Sequence, residues 1–238
     1  NRFFYSGSWG AADTTSPGVA GAVPTKTSDG AIQFPEAATP GNNLFLGAIG
    51  AMKTVNAGQI ILVDRLWHGR GYSLTTTGTQ TVNSVALTRP DNLGEDTELW
   101  IEFGGTIGAT AGALTVTYTN QDGTSGRTAT WTHVASQLAG THQCDRMTLQ
   151  PNDTGIRSIQ SLSWNTAPGS GSVSQFGLAI VRRLATMHCA IGGRYYHIGP
   201  YDTGVPTIYD TSCLSVYTGN SATSVGEVWL SLKLGETS

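Results

Sequence analysis

The chain has 238 residues, 39% of them hydrophobic, and no apolar run approaches the roughly 20 residues that a membrane-spanning helix requires. Only 12% of residues are Asp, Glu, Lys or Arg, about half the usual share, and the net charge is -3. Basic residues gather no further than the pair Arg182-Arg183, which cannot supply the many phosphate contacts that nucleic acid demands. Neither a membrane nor a nucleic acid is therefore an expected partner.

The first residues carry the aromatics Phe3, Phe4, Tyr5 and Trp9. Ala, Gly, Pro, Thr and Ser then dominate to residue 58, with Pro17, Pro24, Pro35 and Pro40 breaking any periodicity. This composition predicts an extended N-terminal arm over residues 1–58, laid across a neighbouring subunit and anchored by its aromatics. Residues 10–43 could span about 110 Å if fully extended. No signal-peptide pattern opens the chain. The cysteines Cys144, Cys189 and Cys213 are odd in number and widely spaced, which suits buried free thiols in a chain folded in a reducing cytosol.

From Gln59 the pattern becomes that of strands. The run Ile60-Ile61-Leu62-Val63 predicts a strand buried on both faces. Thr75 to Leu87 is rich in Thr and Val and predicts another strand. Leu99, Ile101 and Phe103 alternate with Glu98, Trp100 and Glu102, so one face should be core and the other outward. Ala113–Thr119 and Arg127–His133 both alternate and flank Asp122-Gly123, which predicts a hairpin. Strands are also expected at Ile156–Trp164, Phe176–Arg182, Tyr209–Tyr217 and Glu227–Leu234. The last of these turns Val228, Leu230, Leu232 and Leu234 one way and Trp229 the other. No sustained helical period is present; single turns could fit in Gly47–Asn56 or His133–Leu138. Short strands with Gly, Asn and Asp turns predict an all-β, jelly-roll or β-sandwich domain over residues 59–234.

Residues that could carry chemistry are scattered. No nucleophile elbow, phosphate loop or zinc-binding motif is present. Gly104-Gly105-Thr106-Ile107-Gly108 does not open a helix and reads as a strand-end turn. His142, Cys144, His188, Cys189, His197 and Cys213 are the metal-ligand types available. Neighbours such as His188 and Cys189 point to opposite faces of a strand, so convergence on one ion is not expected. Glu98 and Glu102 share a strand face around Trp100, the only hint of a sugar-cleaving acid pair, and read more simply as a solvated face. Asn152-Asp153-Thr154 matches a glycosylation sequon, which matters only in a secreted eukaryotic protein. No catalytic residue, cofactor or metal is assigned, and the chain is expected not to be an enzyme. The outward phase of Trp100 and Trp229 points instead to binding, either in a protein interface or on a sugar platform.

Several segments resemble a family of structural proteins of tailed bacteriophages, encoded with the capsid genes. They are Leu62-Val63-Asp64-Arg65-Leu66-Trp67-His68, the Thr-rich stretch Thr75 to Ser84, and Tyr118-Thr119-Asn120 with Gly123-Thr124-Ser125-Gly126-Arg127-Thr128. Leu149-Gln150, Asp153 to Leu162, and Tyr209-Asp210-Thr211-Ser212-Cys213-Leu214 continue the series in order. The sequence departs from the family pattern at Leu87-Thr88-Arg89-Pro90. The resemblance implies a non-enzymatic virion protein, a head decoration (cement) or minor capsid protein that bridges capsomers. It would be made in the host cytoplasm and sit on the capsid surface, with the major capsid protein and copies of itself, as a homotrimer, for partners. The rival reading is a tail or fibre module that binds a receptor or carbohydrate.

Overall fold

The computed structural model describes residues 2–5, 20–28, 30–54, 58–82, 87–89, 94–134, 143–220 and 227–236. The first strands in chain order are β1 (Arg2–Tyr5), β2 (Leu44–Lys53), β3 (Gly58–Ser73), β4 (Gln80–Thr81) and β5 (Thr97–Phe103). Next come β6 (Gly112–Asn120), β7 (Arg127–His133), β8 (Gln143–Arg146), β9 (Ile156–Trp164) and β10 (Gln175–Cys189). The chain continues with β11 (Tyr195–Ile198), the short helix α1 (Pro200–Thr203), β12 (Thr207–Ile208), β13 (Leu214–Asn220) and β14 (Val228–Glu236). The fold is all-β, and the pairings between these strands are antiparallel.

Two compact units share the chain. Unit 1 holds residues 1–7, 25–64 and 183–238; unit 2 holds 8–24 and 65–182. The long strands β3 and β10 each contribute one half to either unit.

Unit 2 is a β-sandwich. One layer has the order β4-β9-β6-β7; the other is formed by β5, its neighbours β10 and β8, and β3. Leu114, Val116 and Tyr118 of β6, Ala129 of β7, and Ile159, Leu162 and Trp164 of β9 face Leu99, Ile101 and Phe103 of β5 and Leu178 and Ile180 of β10. Aromatic rings fill the centre: Trp164 meets Phe176 edge-on with ring centroids 5.7 Å apart. The predicted hairpin forms as β6 and β7, with Val116 opposite Ala129 and Tyr118 opposite Arg127. Gly123, at φ 84°, supplies the left-handed turn residue.

Unit 1 is built the same way. In one sheet β2 is flanked by β14 on one side and by β11 and β12 on the other; the opposing layer runs β1-β13-β3-β10. Leu44, Leu46, Ile49 and Ala51 of β2 pack on Ile60 and Leu62 of β3, Met187 and Cys189 of β10, and Leu214 and Val216 of β13. Ile60 to Val63 is buried throughout, as its continuous apolar run predicts, and burial continues past the polar Asp64 and Arg65 to His68.

Three regions differ from expectation. Residues 44–53, assigned by composition to an irregular arm, form the central strand of unit 1, and residues 25–43 also belong to that unit. Their apolar side chains supply one wall of the core, with the alternation shifted at Gly47, where β14 steps from Ala48 to Leu46. Arg2–Tyr5 pairs with β13 of the same chain, Phe4 opposite Thr218. Trp100 is 1% exposed rather than outward, and Glu102 on the same face is wholly buried and paired with Arg65 of β3, so this face is covered rather than solvated. Of the Thr-rich stretch 75–87, Gln80–Thr81 is strand, while 83–86 fall outside the described residues.

Candidate functional site

The polar groups marked by the sequence settle into internal roles. Glu98 accepts hydrogen bonds from Trp100 Nε1 (2.9 Å) and Arg146 (3.1 Å). Glu102 binds the Arg65 guanidinium at 2.5 Å, and its second oxygen lies 3.4 Å from His68 Nε2. Burial, then the charges of Arg65 and Arg70, hold His68 well below the ordinary imidazole range, so it is neutral. A glutamate paired to an arginine and sealed from water is suited to joining strands rather than to proton transfer. Glu98 and Glu102 are thus each engaged within unit 2.

The described members of the His and Cys set lie on different strands and faces. Cys144, Cys189 and Cys213 are buried and form no disulfide. His188 is exposed while Cys189 is buried, as strand alternation requires, and His197 is exposed. His142 lies outside the described residues. Among the described residues, no three of His, Cys, Asp and Glu are placed to hold a metal ion. The sequon residue Asn152 sits in an exposed turn at φ 73°, a conformation that asparagine tolerates well.

Surface chemistry instead concentrates on the outer face of the β11-β2-β14 sheet of unit 1. Alternation sends Val228, Leu230, Leu232 and Leu234 of β14 towards the core and turns Trp229, Ser231 and Lys233 out. Register places Tyr195 and Trp229 on either side of Met52, so the three side chains form a row across the sheet. Tyr195 is 59% and Trp229 61% exposed.

Glycines make room for this row. A Cβ on Gly50 would lie 1.7 Å from the Tyr195 hydroxyl and 2.7 Å from Ser231 Oγ. Tyr195 therefore reaches across β2 above Gly50, and its hydroxyl meets Ser231 Oγ of β14 at 2.8 Å. A Cβ on Gly235 would likewise collide with the Phe45 ring at 2.2 Å, so that ring covers Gly235. Two glycines thus let aromatic rings lie over neighbouring backbone, a recurrent pairing in sheets.

Ile191, Tyr201 and Val205, on the segments around β11 and α1 of the same unit, are exposed as well, Tyr201 fully. This face is aromatic and apolar with few charges, the composition of an interface centre. Of its members the sequence marks only Trp229. Tyr195 escapes notice because its strand has four residues, too few to show a period. Comparison of the chain with family models, curated proteins and solved structures finds no match.

Proposed function

We propose that the chain is a non-enzymatic virion structural protein, a head decoration protein that stabilises the shell by binding neighbouring capsomers. The observation that carries a binding role is the row Tyr195–Met52–Trp229 on a sheet of unit 1, its two aromatic ends exposed. Trp, Tyr and Met are the residues enriched where proteins meet, and a contiguous row of them at the surface has the character of an interaction patch. The low charge of the chain, 12%, supports broad coverage by other subunits. The assignment of the partner as a phage head comes from the sequence resemblance.

The test uses heads, purified without this protein, of the virus that encodes it. Wild-type protein should co-sediment with them. A Tyr195→Ser/Tyr201→Ser variant, with an unchanged far-ultraviolet spectrum, should bind at least about tenfold more weakly. Equal binding by the variant would overturn the role of this face. Failure of the wild type to bind heads, together with retention on immobilised glycans, would favour the tail or fibre module instead.

A further inference from the structure

We propose that the outer edge of β14 pairs antiparallel with the same edge of a second copy, around a two-fold axis at Leu232. This inference concerns the edge of the unit 1 sheet, which shares Trp229 with its aromatic face, and goes beyond the capsid-binding role.

The edge is open. Among the described residues β14 pairs with β2 alone. The direction of its backbone groups follows from one contact: Thr54 N donates to Glu227 O at 3.0 Å, and Glu227 N returns a bond to Thr54 Oγ1 at 2.9 Å. Glu227 thus faces β2. Backbone groups alternate along a strand, so those of Val228, Leu230, Leu232, Leu234 and Glu236 face away. The register shift does not disturb this phase, because the skipped residue, Gly47, is on β2.

The edge also lacks the usual protection. Its nine residues exceed the common strand length of about five or six, it has no proline, and Lys233 is its only basic residue. The inward side chains Val228, Leu230, Leu232 and Leu234 are only half-buried. They line an apolar groove of 410 Å³ with Ile32, Phe34 and Val216. The strand therefore has the character of a core strand that, among the described residues, has no outer neighbour.

A second copy of the same strand fits that place. With the axis at Leu232, Leu232 pairs with itself, Leu230 with Leu234, and Val228 with Glu236. Val228, Leu230, Leu232 and Leu234 then fall on the groove side of both copies. On the other side Ser231 meets Lys233, so no like charges are directly opposed. Trp229 meets Gly235 of the second copy, beside the Phe45 ring that already covers that glycine. The Glu236 carboxylate stays clear of the seam, held by Ala38 N (3.0 Å), Thr39 N (2.8 Å) and Asn42 Nδ2 (3.0 Å). Such an isologous contact closes at two copies, unlike the trimer that the family resemblance implies.

Charge at position 231 tests the register. Ser231→Lys sets lysine against Lys233 at both symmetric positions; Ser231→Glu sets glutamate against it. Sedimentation velocity across a concentration series should show a monomer–dimer equilibrium for the wild type. Ser231→Lys should weaken the dimer and Ser231→Glu tighten it, each by roughly three- to tenfold. Ser231→Lys/Lys233→Glu should restore wild-type association. Far-ultraviolet spectra and melting curves establish that each variant is folded. A wild-type monomer at every concentration, a trimer, or Ser231→Lys and Ser231→Glu shifting association in the same direction would overturn the proposal. Loss of head binding leaves it standing, because that binding is tested through Tyr195 and Tyr201.

Discussion

Replacing Asp153 with asparagine removes a charge at a point where four hydrogen bonds converge. Tyr118 Oη donates to the carboxylate at 2.5 Å, Asn120 Nδ2 at 2.8 Å, and Arg127 through Nε at 2.9 Å and a terminal nitrogen at 3.0 Å. These contacts tie the β6–β7 hairpin to the turn that follows Leu149. Breaking a buried ion pair costs about 3–5 kcal/mol. The Asp153 side chain is 2% exposed but that of Arg127 is 24%, so the arginine can turn to water and the cost falls below that of a sealed pair. In urea this lowers the unfolding midpoint by about 1 M. Acid provides a second reading. Burial alone would raise the Asp153 pKa, but the bonds from Arg127, Asn120 and Tyr118 outweigh it and hold the carboxyl at about 2. A folded pKa below the unfolded value of about 3.9 gives stability that is present above that value and lost as pH falls through about 2. Tyr118, pushed up to about 12 by burial and by its bond to Asp153, remains a donor throughout. Urea unfolding followed by tryptophan fluorescence, at neutral pH and at about pH 3, measures both effects. The Asp153→Asn midpoint should be lower at neutral pH and should fall less on acidification than the wild type's. Equal midpoints at neutral pH, or an unchanged acid loss, would refute the reasoning.

Arg65→Met deprives the wholly buried Glu102 of its arginine and should destabilise unit 2 by about 3–5 kcal/mol, whereas Arg65→Met/Glu102→Leu should recover most of that loss. Urea titrations of the four forms check this, and a single variant within about 1 kcal/mol of wild type would contradict it. Cys144, Cys189 and Cys213 are no more than 2% exposed, and burial raises the thiols of Cys144 and Cys189. All three should stay silent to a disulfide-forming thiol reagent until denaturant is added; prompt labelling of the folded protein would be the contrary result.

Where one strand face alternates undisturbed and its partner is near in sequence, the fold is legible from the residues. β6 and β7 are such a case: each alternates, and the six residues 121–126 join them. β9 also begins and ends where its pattern does. β2 is illegible for a physical reason. Its core residues Leu44 and Leu46 are out of phase with Ile49 and Ala51 across the bulge at Gly47, and Gly50 reads as a breaker. That glycine is explained by Tyr195, about 145 residues later, whose ring needs the space. β5 misleads in the opposite way. Glu98, Trp100 and Glu102 have the pattern of a solvated face, but Arg65 neutralises Glu102 from another strand. For the aromatic face, Trp229 shows in the phase of β14, whereas the row it completes depends on register with β2 and β11.

The separation of β2 from its neighbours also sets an order of events during synthesis. β2 ends at Lys53, while β11 begins at Tyr195 and β14 ends at Glu236. At about 5–20 residues per second, β2 leaves the ribosome roughly 10–40 s before its sheet can be completed. Residues 65–182, which hold most of unit 2, emerge entirely within that interval and contain the local β6–β7 pairing. Unit 2 can therefore fold while Leu44, Leu46, Ile49 and Ala51 still await their cover. Until β14 is made, β2 stays open along one side, so a chain stalled before Val228 exposes a ten-residue apolar strand to its neighbours on the same messenger.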